Sequence, residues 1–173
     1  HITAADKQYL GNGFVKLNYG LNLSASWKNF DASVYMYGVL GQEVLSWAKC
    51  YLTSLKNESN GYFNLLEDTA VNSWTPENTG SIYPKLARTD ESSNFRVSDY
   101  FVEKADYLKI SNVQIGYTFT SKALHNVLRS ARIYASIQNL ATISPYCKYG
   151  DPEISGGVTT TGYDSGRYPF PRT

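Results

Sequence analysis

The chain lacks any long apolar run. No stretch approaches the roughly 20 residues that a membrane-spanning helix requires, which excludes a helical membrane protein. A transmembrane barrel stays open, because only alternate residues of a barrel strand meet lipid. Histidine is nearly absent: His1 stands at the chain end and His125 in a short connection. Neither has the partners that a metal site or histidine-based catalysis needs, so no cofactor is called for. Cys50 and Cys147 are the only cysteines, and their spacing matches no metal motif. Spacing alone leaves their pairing open. Charge of one sign is also missing. A formal net charge of +1 argues against nucleic acid, whose phosphates demand clustered Lys and Arg. There is neither a secretory signal nor an initiator Met, so the chain reads as an internal or processed piece of something longer.

What is present is tyrosine, 15 of them in 173 residues, and a strict alternation. From Val15 every second residue gives Val15, Leu17, Tyr19, Leu21, Leu23, Ala25 and Trp27, against Lys16, Asn18, Gly20, Asn22, Ser24 and Ser26. After a very short break, Phe30, Ala32, Val34 and Met36 alternate with Asp31, Ser33, Tyr35 and Tyr37. The pattern predicts strands over 14–27 and 30–39, joined so tightly that they pair as a hairpin. Trp27 and Phe30 flank that turn, where an aromatic girdle would meet a membrane boundary. Strand character returns over 106–119, with Val113, Ile115, Tyr117 and Phe119 on one face. Leu108 and Ile110 fall out of phase there, which calls for a bulge or a protruding strand end. A last strand is expected over 131–142. Its connection to the previous one, about 120–131, is read as short, with one helical turn and with His125 as an exposed turn residue.

The stretches 40–96 and 143–168 read as long loops rich in Asn, Ser, Thr, Gly and Pro. Within the first, Val44, Leu45, Ala48, Tyr51, Leu52 and Leu55 have helical spacing, which predicts a short amphipathic helix. Connections thus alternate short and long, and antiparallel strands then put both long excursions at one end, as in outer-membrane barrels. The competing architecture is a soluble carbohydrate-binding β-sandwich, whose strands also alternate. Strands in soluble domains are typically about 5 to 6 residues, shorter than these.

Candidate chemistry is sparse. "GNG" at 11–13 is a turn, lacking the strand and helix of a phosphate cradle. Asp151 and Glu153 in "GDPE" are read as an acidic loop, since adjacent carboxylates do not establish the separation glycosidases need. Asn22 and Asn57 fit the glycosylation pattern, which often arises by chance. No nucleophile and base stand out, so the chain is not read as an enzyme. Tyr35, Tyr37 and Tyr134 fall on the predicted wet face, where rings either stack on a sugar or fill a barrel interior. Trp47, Tyr51 and Trp74 in the first long loop either touch substrate or a partner, or pack within the loop.

Several segments together resemble the SusC/RagA-type TonB-dependent outer-membrane transporters. They are "GNGFVKLNYGLNLSASWKNFDASVYMYGVLG", "WTPENTGSIYPKL", "SDYFVEKADYLKISNVQIGYTF", "ARIYASIQNL" followed by "YGDPE", and the closing "YPFPRT". They occur in that family's order and span nearly the whole chain. The resemblance implies an all-β fold: about four antiparallel strands of a transmembrane β-barrel of about 22 strands, with long extracellular loops. It implies a place in the bacterial outer membrane, in contact with its lipid. It also implies import of oligosaccharides or peptides, a SusD-like surface lipoprotein as partner, and TonB acting through a plug. Only the C-terminal part of the family pattern is matched, so the plug is absent from this chain, and four strands cannot close a barrel.

Overall fold

The computed structural model describes residues 4–55, 64–87, 94, 96–120, 130–154 and 160–166. His1, His125, Asn57, the helical turn read between 120 and 131 and the closing segment from Tyr168 lie outside the described residues. In chain order the elements are β1 (Leu17–Trp27), β2 (Phe30–Leu40), β3 (Glu43–Ser46), α1 (Trp47–Leu52), α2 (Glu67–Asn72), β4 (Val102–Lys104), β5 (Tyr107–Phe119), β6 (Ala131–Ile143) and β7 (Tyr163–Asp164). The long strands form one antiparallel sheet in the order β1-β2-β5-β6, and the short ones a second, three-stranded sheet in the order β4-β3-β7.

Register turns the alternation of four separate strands into one continuous apolar face. Leu23 lies opposite Val34, Val34 opposite Val113, and Val113 opposite Ile137. The next rows are Ala25, Ala32, Ile115 and Ala135, then Trp27, Phe30, Tyr117 and Ile133. Because side chains alternate across a pleated strand, the other face carries Asn22, Tyr35, Asn112 and Gln138, then Ser24, Ser33, Gln114 and Ser136. The β1–β2 hairpin closes through Lys28 and Asn29. Lys28 sits at φ 54°, the positive value that primed two-residue hairpins need at that position.

The phase slip near the start of β5 is a bulge. Pairing with β2 passes from Tyr35↔Asn112 to Met36↔Ile110, leaving Ser111 as the extra residue. The insertion returns Ile110 and Leu108 to the apolar face, opposite Met36 and Gly38.

The buried core lies at one end of the sheet, in a crown built from the long excursions after β2 and β6. Val44, Ala105 and Tyr146 are fully buried there, with Tyr149 and Ile154 packed against them. The apolar face of the large sheet is uncovered: Leu21, Leu23, Ile115, Ile133 and Ile137 remain between 48% and 66% exposed.

The helix expected from Val44 to Leu55 is shorter than its spacing suggested. Residues Glu43–Ser46 form β3, pairing with β4 on one side and β7 on the other. The helix starts only at Trp47, where Ser46 caps it by accepting the Lys49 N–H at 3.1 Å. Tertiary pairing overrides helical periodicity here, because a strand between two partners satisfies its backbone on both edges. Asp106 fixes the corner between β2 and β3, its carboxylate accepting the N–H groups of Gly41 at 2.6 Å and Gln42 at 3.0 Å. No helix among the described residues is long and apolar enough to cross a membrane.

Candidate functional site

The polar face of the large sheet carries the candidate site at its crown end. Tyr35 and Tyr37, two residues apart on β2, project from the same face and stack with ring centroids 6.0 Å apart at 30°. Tyr107 of β5 meets Tyr37 edge-on at 6.2 Å. With Asn18 and Gly20 of β1 these rings line a shallow, open depression. Gly38 allows the close approach of strands beside it, because a Cβ there would sit 2.0 Å from the Tyr107 carbonyl oxygen. Tyr19 spans that gap and donates to the same carbonyl at 3.0 Å.

The loop after β6 folds back onto this face. Glu153 accepts from the Tyr37 hydroxyl at 3.1 Å and pairs with Lys109 of β5 at 2.5 Å. Asp151 accepts the Glu153 N–H at 3.0 Å, a local turn that leaves the two carboxylates in different roles. They are parts of an acidic loop and do not face each other across a cleft.

Tyr134 stands apart from this group. It lies on β6 opposite Gly116, which in turn faces Asp31 on β2. Strand spacing therefore separates it from Tyr35 by roughly 10 Å across the sheet and 14 Å along it. Its neighbour is Arg132, whose guanidinium lies 5.2 Å from the Tyr134 ring. Arg132 reaches across β5 to grip Asp31 through two hydrogen bonds of 3.0 Å and 2.5 Å. Gly116 makes this bridge feasible, because a Cβ there would come within 2.6 Å of the guanidinium.

Trp47 and Trp74 sit in the crown, away from the tyrosine pair in the chain's connectivity. Trp47 opens α1 and stacks on Tyr51 at 6.3 Å and Phe101 at 6.5 Å, a half-buried aromatic layer on the crown. Trp74 follows α2 and is tied through its backbone N–H to the Tyr83 carbonyl at 3.3 Å. Two members of the site are not tied to it by sequence: Glu153 is read only as part of an acidic loop, and Lys109 is not singled out. Lys109 and Glu153 are 44 residues apart, and nothing in their spacing announces that the loop returns to the wall.

The crown has ionisable groups of its own. Tyr146 donates to Asp164 and lies 2.6 Å from the Ser46 hydroxyl, and its burial first, then Asp164, push its hydroxyl well above the usual phenol range. Burial likewise raises Tyr149 to about 12. On the surface, Asp68 accepts from Tyr83, from Lys148 at 3.0 Å and from Asn72 at 2.8 Å. Those bonds hold its carboxyl down at about 2, with the Tyr83 hydroxyl the largest cause. A carboxylate depressed in the folded state stabilises it above the unfolded value of about 3.9, and that contribution fades as pH falls toward 2. Acidifying the intact protein from pH 5 to pH 2 should therefore loosen the α2 segment from the Lys148 turn. Protease cleavage within 64–87 is expected to accelerate over that window and to be insensitive to pH between 5 and 7. In Asp68→Asn the acid-dependent step should disappear.

Cys50 and Cys147 are not joined in a disulfide. Among the described residues no cluster of His, Cys, Asp and Glu could hold a metal ion.

A wall with one apolar face and one polar face, crowned by loops at a single end, is the anatomy of a membrane β-barrel segment. Comparison with known proteins agrees. No family model matches the chain. TonB-dependent receptor P3 of Formosa agariphila is 28% identical over 99% of this chain, and TonB-dependent receptor SusC of Bacteroides thetaiotaomicron is 29% identical over 83%. The chain spans only 17% and 13% of those relatives' lengths. Among solved structures, the RagAB peptide importer in its closed-closed state matches 98% of this chain and 18% of its own, with a TM-score of 0.74 at 20% identity. The chain is thus similar to a segment of TonB-dependent receptors such as SusC and shares the fold of the matching part of RagAB, and its place is the outer membrane of a Gram-negative bacterium.

Proposed function

We propose that this chain is the C-terminal barrel wall of a TonB-dependent importer of glycans or peptides, a barrel of about 22 strands. Its four long strands face lipid on one side and the transport chamber on the other. Its two crown excursions are extracellular loops that shape the chamber mouth and dock a SusD-like lipoprotein. Energy reaches the importer through TonB acting on a plug elsewhere in the full-length receptor. Tyr35 and Tyr37 are the wall residues best placed to touch cargo, whereas Tyr134 belongs with the Asp31–Arg132 bridge and Trp47 with the crown.

One observation carries this reading: the apolar rows run unbroken across all four strands and nothing in the described chain covers them. A sandwich would require a second sheet on that face, and the three-stranded sheet among the described residues builds the crown instead. The test places nitroxide labels at Leu21→Cys and Val34→Cys in the intact receptor in lipid, with Ser24→Cys and Ser33→Cys as wet-face counterparts. Cys147 is exposed and is first replaced by serine. Labels at 21 and 34 should be quenched by oxygen, which concentrates in hydrocarbon, and those at 24 and 33 by a water-soluble nickel chelate. Labels at 21 and 34 shielded from both agents would show packed protein over this face and defeat the proposal.

A further inference from the structure

The segment after β6 has an unusual combination of properties for a loop. It folds toward the polar face of the sheet, and it is anchored by burial. Its Tyr146 and Pro152 are among the most buried side chains of the molecule, and Ile154 packs on the Val44–Ala105–Tyr146 cluster. A second anchor holds its middle from outside, where Lys148 bonds to Asp68 and to the Tyr83 hydroxyl at 2.8 Å. Next to the buried Pro152, Glu153 reaches the wall and meets Tyr37 and Lys109.

We infer that residues 144–154 form a fixed inward arm and that Glu153 is the positioning residue of the Tyr35–Tyr37 surface. This inference rests on the reading of that surface as a cargo contact and deepens it. A tyrosine on a strand is free to swing about its first side-chain torsion unless its tip is held. Here the tip of Tyr37 donates to Glu153, its edge meets Tyr107, and its face lies against Tyr35. Lys109 neutralises Glu153, so the carboxylate sits beside the wall without presenting net charge to the chamber. The surface that results is aromatic and charge-compensated, with Tyr35, 43% exposed, as its open ring. It suits a neutral group with a flat face of C–H bonds, which gains from stacking, and it offers an anionic group nothing.

The experiment reads the ring itself and needs no cargo, so its failure is separate from failure of the transport reading. 3-Fluorotyrosine is placed at position 37 in the intact receptor, and at position 134 in a second sample. The parent should give one narrow fluorine line at each. In Glu153→Gln and in Lys109→Met the line from position 37 should shift and lose its narrow component, while that from position 134 stays. Glu153→Asp, which keeps the charge on a shorter arm, should recover part of the narrow line. An unchanged line at position 37 in both Glu153→Gln and Glu153→Ala would overturn the assignment. Equal changes at 37 and 134 would overturn it too, since the arm would then support the wall as a whole.

Discussion

Val34→Arg in the intact receptor should sharply reduce the amount of barrel assembled in the outer membrane, whereas Ser33→Arg should leave most of it. Val34 lies in the row Leu23, Val34, Val113, Ile137, near the middle of the strands. An arginine on the lipid face of a barrel costs about 2–4 kcal/mol at the bilayer midplane and much less toward the interfaces. Ser33 is one residue away and points to the other face, where Ser24, Gln114 and Ser136 surround it and water is at hand. The measurement is the heat-resistant folded fraction in isolated outer membranes. A depth series strengthens it, since Phe30→Arg beside the Trp27 girdle should be milder than Val34→Arg. Equal losses at 33 and 34 would mean that the two faces do not meet different solvents.

Tyr146→Ala should release the crown from the barrel. Tyr146 is fully buried, packs with Val44 and Ala105, and bonds to Ser46 and Asp164 through its hydroxyl. Truncating a buried aromatic side chain to alanine typically costs about 3–5 kcal/mol. Here the loss also takes the Tyr146 hydroxyl from the Asp164 carboxylate on β7, which still accepts the Gly166 N–H at 2.8 Å. Tyr146→Phe separates the two effects: it keeps the ring and forfeits the hydroxyl bonds, at about 1–3 kcal/mol for the unsatisfied partners. Hydrogen exchange in residues 43–54 and 101–106 is the readout. The order expected is parent slowest, then Phe, then Ala, with exchange in the centre of β2 and β5 unchanged. That contrast is possible because the sheet is held by its backbone ladder and the crown by its own small core.

Much of the large sheet can be read from the chain because period-2 alternation is a local property. Leu21, Leu23 and Ala25 announce one face with no knowledge of any partner, and the two-residue break after Trp27 announces the hairpin. The phase slip at Leu108 and Ile110 is equally visible. Its resolution is not, since only pairing with Met36 and Tyr35 shows that Ser111 is the extra residue. The start of the crown helix is hidden for a related reason. Val44 and Leu45 have helical spacing to Ala48, but their neighbours β4 and β7 arrive from about 60 and 120 residues away, and those edges decide the conformation.

The candidate site divides along the same line. Tyr35 and Tyr37 share a face because they are two residues apart, which sequence alone settles. Lys109 joins them through the β2–β5 pairing, directly opposite Tyr37, and Glu153 only because the loop after β6 is buried at Tyr146 and Pro152 and so turns inward. Alternation puts Tyr134 on the same face as the pair, and only strand pairing says how far along and across that face it lies. What the amino-acid order determined by itself is therefore which side of the wall is apolar and which is wet. The bulge, the crown and the arm that meets Tyr37 were decided by contacts between residues distant in the chain, whose energies depend on meeting in space and leave no periodic trace.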